Sequence, residues 1–298
     1  MVCDISALIL TKNEELHIER CINSIKGLVS NIYIIDSGST DNTQRICEKY
    51  QVNFIVNPFY NYSSQFNYGL KIMIENNCDW VLSIDADEFF TPILIEEIYK
   101  TFQKDIDKFS GLTFIRKVIF HGKILNFGGV SSRQLRIFRA KDGYCEKHFM
   151  DEHIKVKGKI KNLNKPFYDY CLKDLSWWTS KHNFYANREI VDMLFLMNDS
   201  KYINESLPIG AKIKRKIKIY FYYRMPIFLR AFIYFLVRYF LLLGFSDGIK
   251  GLIYHFLQGF WYRFLIDAKI LEIREYSKIN KLSLEESIKP VLGIDLHK

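Results

Sequence analysis

Two carboxylates one residue apart close an apolar run in Trp80-Val81-Leu82-Ser83-Ile84-Asp85-Ala86-Asp87-Glu88. An Asp-x-Asp pair offers oxygen ligands to a hard cation such as Mg2+ or Mn2+, which keeps other coordination positions for a substrate's phosphates. The same spacing also occurs in plain solvated turns, so the pair needs company before it means anything. A second apolar run, Ile32 to Ile35, ends in Asp36-Ser37-Gly38-Ser39-Thr40-Asp41. Asp36 could accept hydrogen bonds from a base or a ribose, and a helix opening near Asn42 would aim unpaired N–H groups at the same crevice. A third run reaches Leu10-Thr11-Lys12-Asn13-Glu14. By itself that is a polar loop opening a helix.

Elements that bring the three ends together are readable from periodicity. Asp4 to Leu10, Ile32 to Ile35, Phe54 to Val56 and Trp80 to Ile84 predict strands. Between them Glu14 to Ile25, Asn42 to Tyr50 and Ser64 to Asn76 predict helices, the second with Asp41 as N-cap and Gln44 at the capping-box position. Strands alternating with helices of this length imply a parallel sheet with right-handed crossovers, whose ligands sit at the strands' C-terminal ends. Further strands are expected at Gly111 to Phe120, Gln134 to Arg139 and His153 to Lys161, and a helical period returns from Leu175 to Met197.

Together the three strand ends resemble family 2 glycosyltransferases, whose pattern runs strand-Thr-x-Asn-Glu, strand-Asp-x-Gly-Ser-Thr-Asp, strand-Asp-x-Asp. Gln65-Phe66-Asn67 resembles the family's Gln-x-Asn helix. Arg133 to Arg139 followed by Glu152 is similar to its Arg-Leu-Phe-Arg strand and downstream acid, and Lys181 to Tyr185 to a Lys-x-Asn-x-Tyr element. Gly244 to Gly248 followed by Ala268-Lys269 resembles the branch that includes lipopolysaccharide-core β-1,4-glucosyltransferases. The resemblance implies a GT-A α/β fold, Rossmann-like with a mostly parallel central sheet, carrying a C-terminal helical extension. It implies that Thr11, Asn13, Glu14 and Asp36 line the nucleoside end of a donor site, with uridine the usual base. Gln65 and Asn67 would lie near the diphosphate or sugar, Asp85 and Asp87 would hold Mn2+ or Mg2+ with the diphosphate, and Arg136 could touch diphosphate or acceptor. The chain departs from the pattern in two places: Asp36-Ser37 stands where many relatives have two acids, and Met150-Asp151-Glu152-His153 where the branch usually has Val-His-Glu.

Family 2 enzymes invert the anomeric centre, which needs in-line attack by an acceptor hydroxyl and a carboxylate to take its proton. Glu152 is the candidate base and Asp151 the second choice. The implied reaction moves a hexose, glucose by resemblance, from a nucleoside diphosphate sugar to a hydroxyl of a membrane-linked glycan such as lipopolysaccharide core. Two other classes stay open: a nucleotidyltransferase, though Leu10 to Glu15 lacks the glycine-rich loop it would need, and a non-catalytic nucleotide-binding membrane scaffold. His148, His153 and His182 lack metal-ligand spacing. Trp177-Trp178 could stack on a sugar or fill a core.

Aromatic residues make up 16% of the chain and crowd into its last third, and so does its charge. The segment 212–274 carries 12 Lys/Arg against three Asp/Glu, enough to account for the whole formal charge of +9. A GT-A domain over 1–203 and a basic, aromatic helical tail over 204–298 are therefore expected. Pro226 to Phe245 is long enough for a bilayer, yet Arg230 and Arg238 interrupt it. They lie eight apart and can share one face, which predicts a helix lying in the plane of an anionic membrane surface with its arginines outward. A hairpin packed internally or into a homo-oligomer is the alternative, and interleaved Ile, Phe and Leu argue against nucleic acid. The six cysteines form no C-x-x-C pair and no signal-like segment precedes Ile5. Both point to reduced thiols and a cytoplasmic protein, peripheral on the inner face of the cell membrane.

Overall fold

The computed structural model describes residues 4–146, 153–198 and 222–296. The candidate bases Glu152 and Asp151 and the basic run from Lys212 to Lys218 lie outside the described residues. Contacts divide the chain into two compact units, Met1–Lys173 and Asp174–Lys298.

The first unit is an α/β domain built on β1 (Ile5–Thr11), β2 (Asn31–Asp36), β3 (Asn53–Val56) and β4 (Trp80–Ser83), joined by α1 (Ile18–Ile25), α2 (Thr43–Lys49) and α3 (Tyr62–Glu75). These strands are parallel, in the order β3-β2-β1-β4. After β5 (Glu88–Phe89) and α4 (Pro92–Asp105) come β6 (Gly111–Phe120), β7 (Lys123–Ile124) and β8 (Ser132–Arg139). Next are β9 (Gly143–Cys145), β10 (Ile154–Val156) and β11 (Ile160–Asp169). They extend the sheet as β4-β8-β6-β11-β5, with β8 antiparallel to both neighbours and β11 parallel to β6.

The apolar run of β1 has no polar alternation because helices cover both faces of the sheet. Ile5, Ala7 and Ile9 point into a core with Ile18, Ile22 and Ile25 of α1, while Leu8 points the other way, onto Phe66, Leu70 and Met73 of α3. That second layer is thin: a Cβ on Gly69 of α3 would stand 2.6 Å from Leu8 Cδ1 and 2.7 Å from Ile35 Cγ1. Caps fix where two helices start. The Asn61 side chain accepts from Ser64 N at 2.7 Å, and Thr91 caps α4 with Pro92 in its first turn.

Several local expectations shift. The first helix is regular only from Ile18, four residues later than its pattern: Asn13 takes a left-handed φ of 56°, and a turn opened by the Glu14 carbonyl, which accepts from His17 N and Ile18 N at 2.9 Å, leads into it. Before α2, Asp41 Oδ1 accepts from Thr43 N and Oγ1, but Gln44 reaches forward to Glu48, so there is no capping box. The strand expected at His153 to Lys161 is two strands, broken at Gly158, whose φ is +114°.

The second unit is helical: α5 (Leu175–Asn198), α6 (Leu229–Leu236), α7 (Gly248–Tyr254), α8 (Tyr262–Asn280) and α9 (Leu284–Leu292). Five-residue-closed turns at Val237–Leu241 and His255–Trp261 prolong α6 and join α7 to α8. The sequence assigns α5 to the catalytic domain, but its Ala186, Ile190 and Met193 share a core with Tyr262, Ile266 and Ile270 of α8. Trp178 lies over His182 with ring centroids 3.5 Å apart, and burial pushes that histidine down to about 4, so it is neutral. The arginine face of α6 is turned inward: Arg230 and Arg238 are 2% and 7% exposed. They do share one face, as spacing requires, and it is the opposite face to the one expected to meet water. Among the described residues no single helix is long and apolar enough to cross a membrane.

Candidate functional site

Parallel register sets the three candidate loops side by side. Thr11 pairs with Asp36 across β1 and β2, and Leu8 pairs with Ser83 across β1 and β4, so Asp85 leaves the same edge of the sheet. The Asp36 carboxylate is 1% exposed and takes four hydrogen bonds. Thr11 Oγ1 donates to Oδ2 at 2.7 Å and Ser39 Oγ at 2.6 Å, while the N–H groups of Gly38 and Ser39 donate to Oδ1 at 2.8 and 2.6 Å. A carboxylate offers about four acceptor sites. Asp36 therefore shapes the Ser37-Gly38-Ser39 turn, with Gly38 at φ 83°, and leaves the turn to face a ligand.

The neighbouring loop is tied to that turn at several points. Asn13 N donates to Ser39 Oγ at 2.7 Å, Asn13 Oδ1 accepts from Thr40 N at 2.8 Å, and the Lys12 ammonium donates to the carbonyls of Ser37 and Gly38. Glu14 accepts from Lys173 Nζ at 3.0 Å and from His17 Nδ1 at 2.6 Å. His17 Nε2 accepts from Leu172 N at 2.8 Å, which assigns its proton to Nδ1. Burial would raise the Glu14 pKa, but the bonds from His17 and Lys173 outweigh it and hold the carboxyl below its ordinary value.

The remaining donor-side candidates bind protein. Gln65, 1% exposed, receives Asn57 Nδ2 at 2.7 Å and donates to Ser37 Oγ at 3.2 Å, pinning the turn to the end of β3. Asn67 makes a paired amide contact with Cys145, donating to its carbonyl at 2.8 Å and accepting its N–H at 2.9 Å. Gln65 thus ties α3 to the Ser37 turn, and Asn67 ties it to β9.

At the third strand end Asp85 keeps 43% of its side chain exposed while Oδ2 accepts from Arg136 Nη2 at 3.0 Å. Arg136 is 6% exposed and also pairs with Glu88 Oε1. Glu88, 1% exposed, returns a bond from Asp85 N to Oε2 at 3.0 Å. Burial opposes the Arg136 charge, but Glu88 and Asp85 more than compensate and keep it above the ordinary arginine value. Asp87 is fixed through its backbone, its carbonyl accepting from Arg20 Nη2 at 2.9 Å and from Tyr170 N at 3.0 Å. The Arg20 guanidinium also lies 5.1 Å from the Phe89 and Tyr170 ring centres.

Arg136 thus aims the acidic turn from beneath. Glu88, Arg20 and Lys173 are the positioning residues that sequence reasoning missed. Only Glu88 carried a signal, as the third acid of the run after β4.

Among the described residues no group of three or more His, Cys, Asp or Glu side chains could hold a metal. Two carboxylates on one turn fit a hard cation that takes its other oxygens from a bound diphosphate and water. The donor set suits Mg2+ or Mn2+ and suits zinc poorly.

Residues 6–126 match the family described as Glycosyl transferase family 2. An uncharacterized glycosyltransferase of Rickettsia bellii is 28% identical over 283 residues, 90% of this chain and 86% of that one. The lipopolysaccharide core biosynthesis glycosyltransferase LpsC of Rhizobium meliloti is 34% identical over 89 residues, 28% of this chain and 32% of that one. Among solved structures, S. aureus TarS 1–349 in complex with UDP is 14% identical with a TM-score of 0.42, covering 92% of this chain and 91% of that one. Residues 6–126 are a glycosyltransferase family 2 domain. The protein is a glycosyltransferase.

Proposed function

We propose that the protein is an inverting, metal-dependent hexosyltransferase that takes its sugar from a uridine diphosphate donor. The observation that carries this reading is the acidic turn: Asp85, 43% exposed at the C-terminal edge of a parallel sheet and braced by the buried Arg136–Glu88 pair. Bracing of that kind costs two desolvated charges, and it holds a carboxylate at one position beside the Ser37-Gly38-Ser39 turn. Asp85 and Asp87 would hold Mn2+ or Mg2+ against the diphosphate. Such a cation would supply positive charge against the diphosphate as it leaves. The chain's own part is to place the donor, through the Asp36-shaped turn and the acidic turn, with the anomeric carbon open to an acceptor hydroxyl. Glu152, or Asp151 beside it, would take the hydroxyl's proton.

For the acceptor we infer a membrane-linked glycan. The likeness to LpsC, whose name places it in lipopolysaccharide core biosynthesis, supports this, and the sugar we infer, from the branch resemblance, is glucose. The site of action would be the cytoplasmic face of the cell membrane. A panel of nucleotide sugars incubated with full-length protein and Mn2+, and scored for slow release of nucleoside diphosphate, tests the donor without needing an acceptor. Release from one UDP-hexose, abolished by EDTA, is expected. Saturable nucleotide binding without release from any donor would identify a scaffold, and pyrophosphate release from a nucleoside triphosphate a nucleotidyltransferase.

A further inference from the structure

The hairpin of the second unit is inside out. Between Leu229 and Phe264 its buried positions include Arg230, Arg238, Asp247 and His255, together with Gly244 and Gly251. Its exposed side chains are apolar except Ser246: Leu241 is 76% exposed, Ile249 68%, Phe240 52% and Leu242 48%. In water the arrangement runs the other way, and an apolar patch of this extent signals a docking surface. The buried acid of this interior is paired: Asp267 accepts from Arg230 Nε at 2.7 Å and from Phe228 N at 2.7 Å. The turn at 244–247 lies close on the helical run that follows it, because glycines leave room there: a Cβ on Gly251 would stand 2.7 Å from the Gly244 carbonyl oxygen, and one on Gly244 2.6 Å from His255 Cδ2.

We propose that this hairpin inserts into one leaflet of an anionic bilayer, with the turn Leu241–Phe245 as its deepest point. Lipid is the occupant because Phe240, Leu241, Leu242 and Leu243 are consecutive and all exposed. The helical run ends here, with Leu242 as its C-cap and Leu243 at a left-handed φ of 58°, so the four side chains stand at the tip of the hairpin, which a leaflet would cover on all sides and a protein partner on one. The dimensions suit one leaflet. The segments Leu229–Leu241 and Gly244–Asn280 are bent 69° against each other, and only together could they amount to a span. Leu229 to Leu241 rises roughly 18 Å, against roughly 15 Å for half a hydrocarbon core. At the far end from the turn, Arg224, Arg230 and Arg274 line a cavity of about 400 Å³ together with Pro226 and Ile227. That is the depth at which lipid phosphates would meet them, and the excess of 12 Lys/Arg over three acids in 212–274 favours an anionic leaflet. The proposal rests on the membrane-linked acceptor for its purpose but on the helical unit alone for its evidence, so donor release and membrane capture can fail separately.

The test is flotation of full-length protein with vesicles of phosphatidylcholine alone or mixed with phosphatidylglycerol. Capture by the mixed vesicles, with a fraction retained at roughly 1 M salt where exposed charges are screened, is expected. The double variant Leu241→Asp, Ile249→Asp alters only outward-facing side chains. It should reduce capture at least about tenfold, given the cost of an acid inside a membrane, with donor release unchanged. Equal capture of the variant overturns the proposal. So does a wild-type protein that ignores vesicles and runs as a dimer by light scattering, which would give the surface to a second copy. Should the double variant misfold, Phe245→Trp serves instead. Its added fluorescence should be quenched by lipid brominated in the acyl chains and spared by aqueous iodide, and the reverse pattern overturns the insertion.

Discussion

Arg136 shows how much of a site can lie beneath the residues that touch substrate. Its guanidinium links β8 to the acidic turn, joining Asp85 and Glu88 across 51 and 48 residues of sequence. Arg136→Met leaves Glu88 buried and unpaired, so stability should fall by about 3–5 kcal/mol, read from urea unfolding. An unchanged midpoint would mean the pair contributes nothing. Asp87→Ala, at a partly exposed position after the strand, should instead abolish turnover and metal-dependent donor release with the unfolding midpoint kept. EDTA should do the same to the native protein. Glu152→Gln should lower transfer by about 10²–10⁴-fold while donor affinity holds, and a silent Glu152→Gln beside a crippled Asp151→Asn would move the base by one residue. Glu14 gives a pH signature. Its pKa is depressed in the fold, so its contribution is complete above the ordinary value of 4.5 and is lost as pH falls through the depressed value. Glu14→Gln should flatten that acid limb and leave stability above it less dependent on pH.

At the scale of elements, register did what no single residue could. The carboxylates at 36, 85 and 87 were legible in sequence because each follows an apolar run that stops abruptly, and parallel pairing then brings those ends together. Their partners were not legible. The resemblance singled out Arg136 of Ser132–Arg139 as a ligand contact, but its place beneath the acidic turn shows only once β8 pairs with β4 and turns it inward. Asn67 and Gln65 were found by resemblance and given ligands, while their geometry shows amides spent on Cys145, Asn57 and Ser37. Alternation and periodicity report which residues share a face and are silent about what that face meets. The same limit explains Arg230 and Arg238: spacing placed them together correctly, and assuming water outside placed them on the wrong side. An element-scale check is Gly69→Ala. The added methyl meets Leu8 and Ile35 inside a packed layer, so a loss of about 1–3 kcal/mol is expected. A neutral result would show that α3 can lift from the sheet at no cost.

Across the whole molecule the two units solve the problem of burial in opposite ways. The cores of the first draw on residues from Ile5 to Phe167, apolar within and polar at the edges, as water demands. The core of the second runs from Tyr185 to Leu292 and adds buried ion pairs, Arg230 with Asp267 and Arg263 with Glu189, under an apolar exterior. Among the described residues each unit has a core of its own, so each should fold by itself but in a different solvent. A fragment ending at Lys173 should be soluble, unfold cooperatively in urea and bind UDP with Mn2+, since Asp36, Asp85 and Asp87 with their supports Lys173, Arg20 and Arg136 all lie within it. It should not float with vesicles. A fragment beginning at Asp174 should stay in solution only with detergent or lipid present, because Leu241, Ile249 and their neighbours would otherwise face water. If the first fragment is instead insoluble and the second is a well-behaved monomer in plain buffer, the polarity assigned to the units is reversed and the helical unit must be packing, not anchoring.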